Sequence, residues 1–214
     1  MTPTRMDPQG TPFVALFAAP ALALVALGRR VWAGPFVLLA AFMVAFFRDP
    51  DRSCDTTAPG PDEVLAPADG MVVVAGGPEP GVPPAGDWQQ ISIFLSPLDV
   101  HMNRAPYGGR VTSTQYRPGR FRAAFTGAAA TDNERTEVWV TDTGGRTVVF
   151  RQVVGVLARR IVLRVGSGAT VRSGQRIGLM KFGSRMDVFV PPDCTVEVSR
   201  GDRVRGGESV IARW

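Results

Sequence analysis

Histidine and lysine are almost missing from this 214-residue chain. It has one of each, His101 and Lys181, and only two cysteines, Cys54 and Cys194. A zinc site normally draws three or four ligands mainly from Cys and His, so a histidine-rich metal centre is excluded and no metal site is expected. A disulfide-rich secreted scaffold is excluded as well. The two thiols show no CxxC spacing and read as idle residues in a reducing compartment. A pyridoxal phosphate Schiff base would have to use Lys181. Proton transfer near neutral pH falls first to His101, because imidazole is the side chain that ordinarily titrates there.

The positive charge that is present is therefore nearly all arginine. Lys and Arg together number 24 against 19 acidic residues, a net charge of +5. A basic balance favours polyanions, either nucleic acid or an anionic membrane. The arginines are scattered and no aromatic-interleaved basic run occurs, so no nucleic-acid partner is expected. A hydrophobic fraction of 45% supports a real core, and 24 glycines with 18 prolines favour short strands and turns over long helices.

Two uncharged runs stand at the start, PFVALFAAPALALVALG (12–28) and VWAGPFVLLAAFMVAFF (31–47), separated only by Arg29 and Arg30. Each has 17 residues, the lower limit for a membrane-spanning helix. The block 1–48 is read as a hydrophobic helical hairpin that either spans the bilayer twice or inserts as a re-entrant anchor. A cleaved signal peptide would match Arg5 and 13–27, but the double arginine and the second apolar run argue against it. A buried hairpin in a soluble fold is the other ordinary reading. The flanking arginines are balanced and leave the orientation open.

From 49 onward the chain is polar and punctuated by Gly and Pro. RDPDRSCDTTAPGPDE (48–63) reads as an irregular linker. Short β-type runs follow: MVVV (71–74), ISIFL (91–95), TEVWVT (136–141), RTVVFRQV (146–153), RIVLRV (160–165), MDVFV (186–190) and TVEV (195–198). An internal repeat links GATVRSGQRI (168–177) with GDRVRGGESV (201–210) at an offset of 33 residues. Its G-x-x-V-x-x-G pattern calls for glycine at positive φ and for an inward valine. With APADGMVVVAG (66–76) as a third unit, the expected fold is mostly β: a barrel-sandwich-like soluble domain over 49–214, preceded by the hairpin.

Three segments carry residues that could do chemistry. His101 lies in FLSPLDVHMNRAPYGG (94–109), straight after an apolar strand and among Asp99, Asn103 and Arg104; loops at strand ends often hold functional groups. Ser184 lies in LMKFGSRMDVFVPP (179–192). A Gly-Ser pair is ordinarily a hairpin connection, but Lys181, Arg185 and Asp187 place charge around it inside apolar strands. A hydrolase elbow is excluded, because that serine needs G-x-S-x-G before a helix. Asp69, in PADG (67–70), is either a β-turn residue or a carboxylate that orients His101 as a triad acid does.

Together these segments resemble the phosphatidylserine decarboxylase family in its short, membrane-anchored microbial form. The matching stretches are FFRDPDR (46–52), PADG (67–70), FLSPLDVHMNRAP (94–106), DNERTE (132–137), ARRIV (158–162) and KFGSRMDVFVP (181–191), in the family's order. The resemblance implies a self-processing carboxy-lyase that cuts between Gly183 and Ser184 into chains 1–183 and 184–214. Ser184 is converted to a covalent pyruvoyl group, the electron sink for decarboxylation, as pyridoxal phosphate is elsewhere. His101 is then the acid that returns a proton, Asp69 its partner, and Arg104 or Arg185 the holder of substrate phosphate or carboxylate. The implied partners are phosphatidylserine, an anionic membrane surface and the chain's own two fragments as a heterodimer. The implied location is a bacterial-type inner membrane, with the soluble domain on the cytoplasmic face. The chain departs from longer members, which have His-x-x-His where His101-Met102-Asn103-Arg104 stands and Leu-Gly-Ser-Thr where Phe182-Gly183-Ser184-Arg185 stands. One histidine then serves both steps, or Asp69, Asp99 or a water acts in one. Two other readings remain at this level: a non-enzymatic, membrane-tethered barrel-sandwich binding module, and a pyruvoyl decarboxylase acting on a soluble amino acid.

Overall fold

The computed structural model describes residues 5–124, 127–156, 160–181 and 184–214, apart from the side chains of 127 and 128. The chain divides into two compact units, Met1–Asp51 and Arg52–Trp214.

In the first unit the short strand β1 (Arg5–Met6) pairs with β2 (Arg48–Asp49), and between them run α1 (Thr11–Ala26) and α2 (Arg30–Phe46). Asp7 caps a single 3-10 turn over Pro8–Gly10, its Oδ1 accepting from Gln9 N at 2.9 Å. Pro12 then stands in the first turn of α1, where no backbone N–H is needed. α1 ends in a Schellman turn: Gly28 N donates to Val25 O, Arg29 N donates to Leu24 O, and Gly28 takes a φ of 76°. Large apolar side chains face outward on both helices, among them Leu22, Val31, Trp32 and Leu38. The helical stretch Pro8–Ala26 is 19 residues long and apolar enough to cross a membrane, and Arg30–Phe46 is a shorter apolar helix.

The second unit is the β domain. Its elements are α3 (Ser53–Thr56), β3 (Glu63–Leu65), β4 (Gly70–Gly76), β5 (Gln89–Leu95), β6 (Met102–Arg104), β7 (Gly109–Arg117), α4 (Gly127–Asp132), β8 (Arg135–Thr141), β9 (Thr147–Val154), β10 (Ile161–Leu163), β11 (Thr170–Val171), β12 (Arg176–Met180), β13 (Ser184–Val190), β14 (Thr195–Val196), β15 (Arg203–Val204) and β16 (Val210–Arg213). An eight-stranded sheet runs in the order β11-β7-β8-β9-β13-β5-β4-β15, and two three-stranded sheets run β10-β12-β6 and β14-β16-β3. One core joins them: Ile91, Ile93 and Leu95 of β5, Val148 and Phe150 of β9, and Met186, Val188 and Val190 of β13 pack with Ile177 and Met180 of β12 and Ile211 of β16. The mostly β, sandwich-like architecture expected from the Gly and Pro punctuation is the one observed.

The repeat has a structural meaning. Its copies supply β11 and β15, which close the two opposite edges of the large sheet. Gly168 and Gly201 sit at φ 91° and 100°, Gly174 and Gly207 at 78° and 76°, and Val171 and Val204 are buried. The backbone bonds match as well: Val111 exchanges bonds with Ala169 O and Gly168 N, and Val72 does so with Asp202 O and Gly201 N.

The differences from the sequence reading concern polar and short elements. β7, the longest described strand, is not among the expected runs; GRVTSTQYR buries only Val111 fully, and its other positions are half-buried or exposed, so it lacks an apolar alternation. TVEV and RIVLRV contract to 195–196 and 161–163. The 48–63 segment is not irregular throughout, since it contributes β2, α3 and the start of β3.

Candidate active site

Ser184 opens β13, the strand between β9 and β5 in the large sheet. Its ladder partners are Leu95 and Val154. By strand alternation it shares the face of Met186 and Val188, which is the core face, while Arg185 and Asp187 point to the other side. The side chain is fully buried, and Oγ has no hydrogen-bond partner among the described residues. A buried hydroxyl left unpaired costs about 1–3 kcal/mol, and a catalytic role is one reason a fold keeps such a group. Phe182 and Gly183, and with them one side of the expected cleavage site, lie outside the described residues.

His101 precedes β6 and is also buried. Its Nδ1 lies 3.0 Å from the Asp99 carbonyl oxygen. A carbonyl only accepts, so Nδ1 is the donor in this contact and Nε2 is the nitrogen left to exchange a proton. The His101 carbonyl accepts from Met180 N at 3.4 Å, extending the β6–β12 ladder. Met180 ends β12, and only residues 181–183 separate it from Ser184. Topology thus brings His101 and Ser184 to one corner of the domain.

The other candidates are placed differently. The Asp69 carboxylate is gripped by Arg52 Nη2 at 2.7 and 2.9 Å and accepts from Gly206 N at 2.8 Å. It holds the linker to the domain and does not bond to His101, whose Nδ1 meets the Asp99 carbonyl instead. The Asp99 carboxylate itself accepts from Ser96 N and Arg203 Nη1.

The two arginines expected to meet substrate are engaged by acids within the chain. Arg104 is buried; Nη1 and Nη2 grip Asp55 at 2.8 and 3.0 Å, and Nη1 also donates to Gly174 O at 2.8 Å. Burial would raise the Asp55 pKa, but bonds from Arg104 and Arg52 N and the charges of Arg104 and Arg176 outweigh it and hold the carboxyl below its ordinary value. Arg185 is buried on the face opposite the core. It bonds Asp187 at 2.5 Å, Ser92 Oγ at 2.9 Å and Glu79. Burial opposes its charge, yet Asp187 and Glu79 prevail and raise its pKa. Carboxylates within the chain thus engage both guanidiniums. Arg104→Ala should therefore lower stability by about 3 kcal/mol, the lower end for breaking a buried pair, since Asp55 is partly exposed. Thermal unfolding checks this; an unchanged melting temperature with weakened substrate binding would return Arg104 to a substrate role.

A polar pair that the sequence reading passed over lies on the Ser184 face. Gln152 Nε2 donates to Asn103 Oδ1 at 2.9 Å, and both residues are fully buried. A signal was present: Gln152 interrupts an otherwise apolar inward row of β9. The thiols stay out of the chemistry. Burial, with Asp193 adding to it, pushes Cys194 up to about 12, and burial also raises Cys54, so both remain protonated near neutral pH.

Comparison with known proteins adds an independent finding. The profile of the family described as phosphatidylserine decarboxylase matches residues 39–212. A phosphatidylserine decarboxylase proenzyme of Solibacter usitatus is 44% identical over 202 residues, covering 94% of this chain and 93% of its own. The proenzyme of Paramagnetospirillum magneticum is 42% identical, covering 95% and 85%, and that of Desulfotalea psychrophila 37%, covering 96% and 94%.

Proposed function

Because the chain belongs to the phosphatidylserine decarboxylase family, we propose that it is a self-processing carboxy-lyase converting phosphatidylserine to phosphatidylethanolamine. The observation that carries the proposal is the buried Oγ of Ser184, without a partner among the described residues, at the first residue of a central strand. Ser184 Oγ attacks the Gly183 carbonyl; the ester C–O bond forms as the peptide C–N bond breaks and the nitrogen takes a proton. Loss of the Ser184 α-proton expels the Gly183 carboxylate and leaves a dehydroalanine, whose hydrolysis releases ammonia. The pyruvoyl group that results supplies an electron sink for the bond broken on loss of CO2. His101 takes a proton from water at Nε2 and returns it to the substrate carbon, with Nδ1 held by the Asp99 carbonyl.

The position of the cut supports a stable heterodimer. Cleavage before Ser184 severs no strand. The small chain, 184–214, carries β13, which pairs along its length with β5 and with β9, and β16, which pairs with β3. The two fragments are expected to migrate as one species natively and to separate only in denaturant.

An anionic membrane surface is the proposed partner. At the end of the large sheet where Ser184 lies, the connections expose Leu98, Phe121 and Val156, with exposed Arg117, Arg120, Arg122 and Arg160 around them. Exposed apolar tips and arginines at one end, of which Arg122 also pairs with Asp132, suit a layer of acidic headgroups, and α1 supplies a helix able to cross that membrane. The domain 49–214 is proposed as the catalytic part and 1–48 as the anchor, in a bacterial-type inner membrane with the catalytic part on the cytoplasmic face. The test is CO2 release from phosphatidylserine in mixed micelles by purified protein that shows two bands under denaturing conditions. Release from free serine in place of the lipid would favour the soluble-substrate reading. An intact, inactive chain that binds vesicles would favour a binding module.

A further inference from the structure

Asn103 and Gln152 bond to each other once and, among the described residues, leave Asn103 Nδ2 and Gln152 Oε1 unpaired, both in fully buried side chains. Exchanging either amide end for end cannot remove both vacancies: an Asn–Gln pair joined by one bond always keeps one NH2 and one carbonyl oxygen in hand. Gln152 stands opposite Met186 in the β9–β13 ladder, and Ser184 stands opposite Val154. Gln152 and Ser184 are therefore diagonal neighbours on one face, with Cβ atoms about 7 Å apart by sheet geometry. Asn103 is two residues past His101, on β6. A matched donor and acceptor thus lie between the proposed nucleophile and the proposed acid, while Arg104 is engaged by Asp55 and Arg185 lies on the other face.

We propose that Asn103 and Gln152 form the subsite for the amino-acid end of the substrate headgroup, Asn103 Nδ2 donating to its carboxylate and Gln152 Oε1 accepting from its amine. The proposal rests on the reading of the chain as a phosphatidylserine decarboxylase. A neutral donor suits a carboxylate that must depart as CO2. A cation would stabilise the charged ground state more than the transition state, in which that charge moves away. A buried pair with unmet hydrogen bonds also discriminates: a headgroup lacking either function leaves one of them unpaired.

The test compares Asn103→Asp and Asn103→Ser with the wild type as full-length protein in mixed micelles. The wild type, assayed first, tests the parent reading on its own, since no CO2 from phosphatidylserine would end that reading whatever the variants do. Asn103→Asp sets a carboxylate against the substrate carboxylate. It should still split into two chains and should raise KM for phosphatidylserine about tenfold or more, while inhibition by phosphatidylethanolamine, which lacks the carboxylate, stays unchanged. Asn103→Ser should show a smaller rise of the same kind. An unchanged KM, a parallel loss of affinity for both lipids, or failure of both variants to split would overturn the proposal, the last by assigning the pair to folding or self-cleavage.

Discussion

Ser184→Ala is expected to leave one intact chain of 22.9 kDa without decarboxylase activity. The effect should be complete, because the same oxygen does two jobs. It is the nucleophile that opens the chain and the leaving group whose elimination creates the carbonyl the reaction needs. Neither ladder neighbour, Leu95 or Val154, carries a group that could replace it. The variant should nonetheless be folded, which separates this loss from a structural one. Deleting a buried hydroxyl that lacks a partner removes a desolvation cost of about 1–3 kcal/mol and breaks no bond. The melting temperature of Ser184→Ala should then equal or exceed that of an unprocessed wild-type chain. Splitting of the variant, or CO2 release by it, would refute the role of Ser184.

His101→Ala is expected to lower kcat by about 10²- to 10⁴-fold, the usual range for losing a general acid. The chain has no second histidine to take over. Conservative replacement separates chemistry from packing. His101→Gln keeps a buried polar side chain near the Asp99 carbonyl, so it should melt close to the wild type and still lack turnover, since an amide does not exchange a proton near neutral pH. Gel analysis of both variants shows whether His101 also assists self-cleavage. Normal turnover in either would remove it from the mechanism.

The parts of the fold legible in the sequence were those written in period and punctuation. The two apolar runs became α1 and α2, and the G-x-x-V-x-x-G repeat marked both edges of the large sheet, because positive-φ glycines and inward valines leave a local signature. Strand β7 was illegible because its side chains are polar. The site was half legible. Ser184 and His101 stood out through motif and scarcity, but the partners of Asp69, Arg104 and Arg185 did not. Ion pairing is decided by which distant segment arrives: Arg104 meets Asp55 across 49 residues and Arg185 meets Glu79 across 106. A buried arginine and a substrate-binding arginine read alike until the fold supplies the acid. The Asn103–Gln152 pair was hidden for the same reason, although Gln152 alone broke the apolar alternation of its strand.

The most direct test is the intact mass of the purified wild-type chain under denaturing conditions. Two species are predicted: one ending at Gly183 with an ordinary carboxylate, and one beginning at position 184 that is lighter by one ammonia than the same fragment made by simple hydrolysis. A single species at the full mass, in a preparation that decarboxylates phosphatidylserine at full rate, would contradict the account.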